Sequence, residues 1–346
     1  MSSMLNSHAA LLKNRDLLQG RLVFVGLSDT ALLGQLPGTG NVVTENYGVF
    51  QSLGSAGEWQ PLFGYFDSSN PYGLADTVVV FMPKAKAELI LRLRLAGALL
   101  GPSGRLVLVG EKREGIASAV KQLQSISGSV AKVDSARHCQ VWLAEAVAAQ
   151  PALSVADWLT WHTVDVAGTS VEVAGLPGVF SDGRLDDGTK LLLQTLDEEP
   201  VQGPVLDFAC GAGVIGTWLQ ARAGHLGQSL TVDGVDVQAQ AVECAKQSYR
   251  HSGACGRIEP SDGLANVDGQ YATVVTNPPF HSGVRTDTSM TERFLSEAAR
   301  HLQPGGELRL VANSFLPYEK LIKRFIGPCR VIAQDKRFTV YSAKRH

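Results

Sequence analysis

The chain alternates short runs of β-branched and aliphatic residues with longer stretches in which apolar residues recur at helical spacing. Strand-like runs lie at 22–27, 75–81, 205–208 and 271–276. A strand followed by a helical stretch, repeated along a chain, is typical of a parallel sheet covered by helices. The pattern therefore predicts an α/β fold with a mostly parallel sheet in each half of the chain.

Three stretches of the first half recur in the second half about 200 residues later. Residues 75–83 resemble 271–279, residues 100–109 resemble 302–311, and residues 140–144 resemble 339–343. We interpret the three matches as a tandem duplication that gives two Rossmann-like domains, 1–150 and 151–346. The alternative is that strand-helix-strand units resemble one another in general.

The first half differs from the second at two points where chemistry is expected. It has no glycine-rich turn after its opening strand 22–27, and it has no Asn before Pro83. We therefore expect the first domain to be degenerate, keeping the fold without the chemistry, and the second to be catalytic.

The composition is that of a globular protein. Apolar residues make up 45% and charged residues 18% of the 346 residues, enough to bury a core in each half. Five scattered cysteines have neither zinc-ligand nor disulfide spacing, so no metal site is predicted and a reducing compartment is expected. No apolar run reaches the ~20 residues of a membrane span, and the first residues do not resemble a signal peptide. We expect a soluble, cytoplasmic protein.

Charge is nearly balanced along the whole chain, with 31 basic and 33 acidic residues. This balance argues against a surface dominated by nucleic-acid binding. The segment 319–346 is an exception, because it has eight basic and two acidic residues. This basic segment is either a solvated edge or an edge that faces RNA.

Residues 204–216 predict a strand, a tight glycine turn and the start of a helix. Gly211 and Gly213 let the backbone approach a ligand where a Cβ atom would collide. With Gly216 they complete a dinucleotide-binding pattern, which by itself selects no cofactor. Asp207 precedes the turn, where it would repel a pyrophosphate. Its carboxylate suits either the amino group of a methionine moiety or the amides of the turn.

Two further carboxylates follow the next two strands of this half. We expect Asp236 to hold the ribose hydroxyls of a cofactor, and we favour it over Asp233 because strand alternation puts Asp236 at the tip. Asp262, which is followed by Gly263, either accepts a hydrogen bond from an adenine amino group or belongs to a plain turn.

A helix is predicted to begin near Asp187 or Thr189, and its first amides either cover the cofactor or are only capped. The full set of predicted cofactor-binding residues is Gly188, Thr189, Asp207, Ala209, Cys210, Gly211, Gly213, Asp236, Val237, Asp262 and Gly263.

The segment Asn277-Pro278-Pro279-Phe280 directly follows a predicted strand and is the expected catalytic loop. Its two prolines remove two N–H donors, which leaves the Asn277 side-chain oxygen and the Pro278 carbonyl as neighbouring acceptors. Two such acceptors suit the hydrogens of an exocyclic amine on a planar ring, with Phe280 stacked on the ring. His281 either lines the pocket or is a surface residue. Transfer to such a nitrogen requires neither a His base nor a metal.

Residues 176–346 resemble the catalytic domain of the bacterial ribosomal RNA guanine-N2 methyltransferases. The matching stretches are 176–181, 185–189, 207–216, 277–281, 305–308 and 311–313. That family pairs a degenerate amino-terminal methyltransferase-like domain with an active carboxy-terminal one, which agrees with the duplication. The resemblance implies S-adenosylmethionine as the methyl donor and S-adenosylhomocysteine as the product, without a metal.

Within this family the resemblance is greatest to the enzymes that act on the small subunit. It implies methylation of the exocyclic N2 amine of one guanine in 16S rRNA, with the small ribosomal subunit as the partner, no membrane and a monomeric chain. Many relatives have Gly where this chain has Ala209. Ala is acceptable there if its φ is negative, so we expect a slightly altered turn.

Several alternative functions stay open. They are methylation of a large-subunit guanine at N2, of an adenine at N6 or of a protein glutamine, oxidoreduction with NAD, and RNA binding without catalysis. Phe280 in place of Tyr, together with the tandem domains, favours the small-subunit guanine enzyme. Nothing near Asn277 supplies the acid or base that hydride transfer needs. The intact acidic residues argue against a purely RNA-binding role.

Overall fold

The structure, a computed structural model, describes residues 4–36, 38–54, 58–66, 75–278 and 289–346. Of the predicted catalytic residues, Pro279 and Phe280 lie outside the described residues, as does His281. The chain divides into two compact units, Met1–Trp158 and Leu159–His346. This division falls eight residues after the predicted one, at 158 rather than 150.

The first unit alternates strands and helices as the hydrophobic pattern predicts. Its elements are α1 (Asn6–Lys13), β1 (Leu22–Val25), β2 (Gly40–Thr44), α2 (Tyr47–Leu53), β3 (Trp59–Phe63), β4 (Ala75–Phe81), α3 (Leu89–Leu99), β5 (Leu100–Glu111), α4 (Ile116–Ile126), β6 (Ser127–Ala136) and β7 (Cys139–Val147).

The second unit begins with a β-hairpin and then repeats the same alternation. Its elements are β8 (Thr160–Val166), β9 (Thr169–Gly175), α5 (Asp187–Glu198), β10 (Val205–Phe208), α6 (Val214–His225), β11 (Val232–Asp236), α7 (Ala239–Ser252), β12 (Ile258–Pro260), β13 (Tyr271–Thr276), α8 (Ser289–His301), β14 (Leu302–Asn313), α9 (Tyr318–Phe325), β15 (Cys329–Gln334) and β16 (Phe338–Lys344).

Within its described residues, each unit contains a seven-stranded sheet, and the two sheets have the same strand order. That order is β3-β2-β1-β4-β5-β7-β6 in the first unit and β12-β11-β10-β13-β14-β16-β15 in the second. In the first sheet, neighbouring strands pair in parallel along the series β3-β2-β1-β4-β5. The strand β7 pairs antiparallel with both β5 and β6. The second sheet repeats this arrangement. The prediction of two tandem Rossmann-like domains is confirmed.

The pairing registers of the two sheets also coincide. Thr77 lies opposite Arg105, and Thr273 lies opposite Glu307, each just after a register shift at the start of the strand. Farther along, Leu108 pairs with Trp142 as Leu310 pairs with Tyr341. All three repeats found in the sequence therefore occupy equivalent positions in the two sheets, which confirms the duplication.

Burial on both faces of the sheet explains why the central strands have continuous apolar runs. In β1, Val23 and Val25 belong to one hydrophobic cluster, whereas Leu22 and Phe24 belong to a second cluster. Successive side chains of a strand point to opposite faces, so helices must cover both sides of this sheet.

The β8–β9 hairpin packs against α6 and α7 and supports the glycine turn of the second unit. The indole Nε1 of Trp218 donates to the carbonyl of Val166 at 3.2 Å. The Oγ atom of Ser248 accepts from the Ala174 amide at 2.9 Å and lies 2.8 Å from the carbonyl oxygen of Ala212, which is part of the turn. One buried hydroxyl thus joins the hairpin, α7 and the turn.

No helix in the described part of the chain has the length and apolarity that crossing a bilayer requires.

Candidate active site

In the glycine turn between β10 and α6, every second residue from 209 to 213 has a backbone conformation in the left-handed region of φ/ψ space. Ala209 has φ 56°, Gly211 has φ 54° and Gly213 has φ 79°. The expectation that Ala209 has a negative φ is therefore wrong. The chain must turn sharply at the end of the strand, and Gly26, at the equivalent position of the first unit, has φ 80°. An Ala in this conformation costs roughly 1–2 kcal/mol, which the surrounding structure must offset.

The three glycines of the turn have different surroundings. An added Cβ atom on Gly211 would meet nothing within 4 Å, so open space lies over this residue. On Gly213 it would approach the Cβ atom of Ala245 to 3.1 Å, and on Gly216 it would collide with the hydroxyl of Tyr249. Gly211 therefore borders open space, whereas Gly216 allows α6 and α7 to pack closely.

The carboxylate of Asp236, the last residue of β11, supports this turn. It accepts from the Gly211 amide at 2.9 Å and, through its other oxygen, from the Gln238 amide at 2.9 Å. Burial raises the pKa of Asp236 above its usual value, although these amides and that of Val237 oppose the shift. Asp236 thus lies at the tip of its strand, next to the space over Gly211.

Asp233, the competing acid on the same strand, is engaged elsewhere. It accepts from the hydroxyl of Tyr271 at 2.9 Å and from the Arg257 amide at 2.7 Å. These bonds hold it at the beginning of the strand, away from the carboxyl edge of the sheet.

Asp207 is fully buried, with none of its side chain exposed. Neither carboxylate oxygen has a hydrogen-bond partner among the described residues. Burial raises the pKa of Asp207 well above its usual range, the nearby Gly216 amide opposes the shift, and the charge of Asp236 adds to it.

A third acidic residue follows the next strand of the sheet. Asp262 is half-buried and lies after β12, where the Ser261 amide donates to the carbonyl of Asp236 at 2.9 Å. Gly263 has φ 62°, and the following amide, that of Leu264, donates to Glu297 at 3.0 Å. The ends of β11 and β12 are therefore joined, with Asp236 and Asp262 on adjacent strand ends.

Asn277 follows β13 directly, and its side chain is held by residues at the start of α5. Its amide nitrogen donates to the hydroxyl of Thr189 at 2.9 Å and lies 3.4 Å from each carboxylate oxygen of Asp186. Pro278, the next residue, is buried.

Asp186 is a residue beside Asn277 that the sequence reasoning did not single out. It is the N-cap of α5 and accepts from the amides of Gly188 at 3.0 Å and Thr189 at 3.3 Å. The helix begins at Asp187, as predicted, and its cap is the preceding residue, Asp186. Two adjacent Asp residues made the choice ambiguous, and the useful signal was that an N-cap serves amides two and three residues later.

The first unit has different residues at the corresponding strand ends. According to the pairing registers, Phe24 corresponds to Asp207 and Phe81 to Asn277. In the same way Thr44 corresponds to Asp236, and Tyr65, two residues after the end of β3, corresponds to Asp262.

A buried arginine fills the equivalent space of the first unit. The Arg92 guanidinium donates to Glu45 at 2.8 Å and to the carbonyl of Phe81 at 2.6 Å, and an added Cβ atom on Gly26 would collide with it. The hydroxyl of Tyr65 also donates to Glu45, at 2.8 Å. This internal ion pair occupies the edge of the sheet where the second unit has open space.

The described residues include no group of three or more His, Cys, Asp or Glu side chains that could hold a metal ion.

Comparisons with known proteins agree with this division of the chain. The model of the methyltransferase small domain N-terminal family matches residues 8–162, and that of the methyltransferase small domain family matches residues 170–342. A 16S rRNA N2 methyltransferase from T. thermophilus, solved in complex with AdoMet and guanosine, has a TM-score of 0.83 and 24% identity. The match covers 98% of this chain and 92% of that chain, so the two share a fold.

Curated relatives match over nearly their whole length. The ribosomal RNA small subunit methyltransferase C of Ectopseudomonas mendocina is 41% identical, over 97% of this chain and 98% of the relative. The protein of the same name from Hahella chejuensis is 39% identical, over 100% of both chains. The chain therefore belongs to the ribosomal RNA small subunit methyltransferase C family, with an amino-terminal and a carboxy-terminal methyltransferase small domain.

Proposed function

We propose that this chain transfers a methyl group from S-adenosylmethionine to the exocyclic N2 amine of a guanine in 16S rRNA of the small ribosomal subunit. Membership of the family supports this proposal, as does the shared fold with the T. thermophilus enzyme. The observation that carries it is the position of Asn277, which follows β13 beside the strand that leads into the glycine turn. The first unit has Phe81 at the same position.

The residues around the glycine turn fit the cofactor. The open space over Gly211 admits a ligand close to the backbone, and the carboxyl group of Asp236 lies beside it. We assign the ribose hydroxyls to Asp236 and the adenine amino group to Asp262. The remaining members of the proposed pocket are Gly188, Thr189, Asp207, Ala209, Cys210, Gly213, Val237 and Gly263.

S-adenosylmethionine, when bound, supplies an electrophilic methyl group on a sulfonium. The chain's own contribution is to orient the amine. The Asn277 side-chain oxygen and the Pro278 carbonyl accept its two hydrogens, which turns the nitrogen lone pair toward the donor. We propose that Pro279 and Phe280 complete this loop. The proton released from the methylated amine passes to solvent, so no residue of the chain has to act as a strong base.

We assign substrate docking and support of the fold to the first domain, 1–150, and catalysis to 151–346. The internal ion pair of Arg92 with Glu45 supports this division, because it leaves no room for a cofactor at that edge. We place the reaction in the cytoplasm, on the small subunit, with the chain acting as a monomer.

Nucleoside analysis of 16S rRNA tests the product. Small subunits from cells with and without this chain are digested and compared by mass spectrometry. We expect one N2-methylguanosine per 16S rRNA to disappear in the absence of the chain. Loss of a methylated adenine instead, or an unchanged nucleoside profile, contradicts the proposal.

A further inference from the structure

The contacts of Asn277 determine which way its amide group points. A carboxylate has only acceptor atoms, so the group facing both oxygens of Asp186 at 3.4 Å must be the amide NH2. The hydroxyl of Thr189, 2.9 Å from the same nitrogen, is the second acceptor. The oxygen of Asn277 must then point away from α5.

We propose that Thr189 and Asp186 are positioning residues that hold the Asn277 amide so that its oxygen faces the target. This inference rests on the proposed function and names the residues that make the site selective for an amine. With the amide turned by 180°, the loop would present a donor and would suit a carbonyl oxygen. With Thr189 and Asp186 in place it presents an acceptor, so the group that enters must be an amine.

The helix that presents these two residues is held at both of its ends. At its amino end, an added Cβ atom on Gly188 would come within 3.0 Å of the ring of Phe338, so the ring packs directly on the backbone. At its carboxyl end, the buried Arg309 donates to the carbonyl oxygens of Thr195 at 3.2 Å and Glu199 at 3.3 Å. Thr189 is itself only 7% exposed. The two acceptors therefore have a fixed position relative to the sheet.

Thr189→Val tests the proposal, because valine keeps the shape of the side chain and removes the acceptor. Thr195→Val is the matched control, since Thr195 lies on the same helix and, among the described residues, its hydroxyl donates to the carbonyl of Leu192 at 2.7 Å. We expect Thr189→Val to lower kcat on small subunits on the order of 10- to 100-fold. Thr189→Ser should restore most of the rate.

A second measurement reports the orientation without relying on activity. In the full chain labelled with 15N-asparagine, the side-chain NH2 signals of Asn277 are identified by their absence in Asn277→Ala. We expect Thr189→Val to shift these signals and Thr195→Val to leave them in place.

Unmoved NH2 signals in Thr189→Val overturn the positioning role, as does a kcat within twofold of the unaltered chain. If the signals shift but the unaltered chain methylates no small subunits, the orientation stands and the proposed function fails.

The exposed apolar side chains of the second unit carry a separate inference. The three most exposed large ones in its described part are Phe315 at 81%, Phe180 at 68% and Met290 at 60%. Each lies at the carboxyl edge of the sheet: Phe315 after β14, Met290 at the start of α8, and Phe180 shortly before α5. The exposed side chains of Lys320, Lys336 and Arg337 lie in segments at the same edge.

We infer that these apolar side chains stack against unpaired bases of the RNA that flank the target guanine. Aromatic side chains beside cations are typical of surfaces that bind single-stranded nucleic acid, where stacking contributes about 1–3 kcal/mol per base. The exposed ammonium groups of Lys320 and Lys336 at this edge favour RNA over a protein partner, and Arg337 beside them is paired with Asp187 at 2.8 Å. The inference rests on the proposed function.

The test compares Phe315→Ala with Phe315→Tyr, which retains a stacking ring, and with Leu226→Ala. Leu226 is 47% exposed and follows α6, at the opposite edge of the sheet. We expect Phe315→Ala alone to weaken binding of a fluorescein-labelled single-stranded 12-nucleotide RNA and to raise KM for small subunits, each at least about fivefold. Unchanged affinity for the 12-nucleotide RNA overturns the inference. If KM alone rises, Phe315 contacts a ribosomal protein instead.

Discussion

Phe24 in β1 and Asp207 in β10 occupy the same register position in two sheets of identical strand order. Both side chains are completely buried. One is an apolar ring within a hydrophobic cluster, and the other is a carboxylate without a hydrogen-bond partner among the described residues. A buried carboxyl group without a partner is costly, and of the two sheets only the second has one at this register position.

We predict that the full chain binds one S-adenosylmethionine and that Asp236→Asn weakens this binding. The two oxygens of Asp236 serve two amides, those of Gly211 and Gln238. Asn would present an NH2 group to one of them, so Kd should rise about 10-fold or more. Isothermal titration calorimetry measures the stoichiometry and the affinity.

Asp233→Asn is the matched control for that titration, because Asp233 lies on the same strand and bonds to Tyr271 and Arg257 instead. We expect it to change Kd less than twofold. Two bound cofactors per chain, or equal effects of the two substitutions, would contradict a single site held by Asp236.

We predict that Asp207→Asn changes how stability depends on pH. Burial raises the pKa of Asp207 well above its usual range. Between the ordinary Asp pKa and this raised value, the folded chain holds a proton that the unfolded chain has released, so stability falls as the pH rises. Each unit of the shift is worth about 1.4 kcal/mol.

Removing the titrating carboxyl group should remove this decrease of stability with rising pH. In the ligand-free chain, the free energy of unfolding of Asp207→Asn relative to the unaltered chain should increase as the pH rises from 4 to 8. Urea denaturation at a series of pH values measures this difference. A difference that stays constant with pH would mean that Asp207 is ionised in the folded protein at an ordinary pKa.

We predict that Arg92→Met destabilises the first unit and leaves cofactor binding unchanged. Arg92 is 7% exposed and pairs with the buried Glu45, so its loss leaves a buried carboxylate without its cation. Breaking such a pair costs about 3–5 kcal/mol. Denaturation curves measure the loss, and calorimetry measures the Kd for S-adenosylmethionine.

Arg21→Met is the control for Arg92, because the Arg21–Asp76 pair is exposed, with 63% and 49% of the two side chains accessible. Solvent screens an exposed pair, so its loss should have little effect on stability. If Arg92→Met proved no more destabilising than Arg21→Met, the claim that the buried Arg92–Glu45 ion pair stabilises the first unit would be contradicted.

The fold followed from the sequence because its signals are periodic and local. The strand 271–276, for example, has β-branched residues bounded by a proline pair, and the structure gives β13 the same bounds. The duplication was inferred from three sequence repeats, and the strand-pairing registers of the two sheets place these repeats at equivalent positions. The end of a strand is also predictable, so the positions of Asp236 and Asn277 at the carboxyl edge could be inferred.

Contacts between residues distant in sequence could not be predicted in the same way. Asp186 reaches Asn277 across 91 positions, and Arg92 reaches Glu45 across 47. The positive φ of Ala209 is a related case, because the sharp turn imposes it against the preference of the residue. These features depend on which side chains the fold brings together, and no periodic pattern encodes that.

Transfer of a labelled methyl group from S-adenosylmethionine to small subunits, purified from cells that lack this chain, tests the central claim most directly. The unaltered chain is compared with Asn277→Ala and with Asn6→Ala, an exposed Asn of the first unit. We predict that the unaltered chain and Asn6→Ala place label in N2-methylguanosine of 16S rRNA, and that Asn277→Ala lowers the rate about 100-fold or more. No incorporation by the unaltered chain, or equal incorporation by Asn277→Ala, would contradict the account.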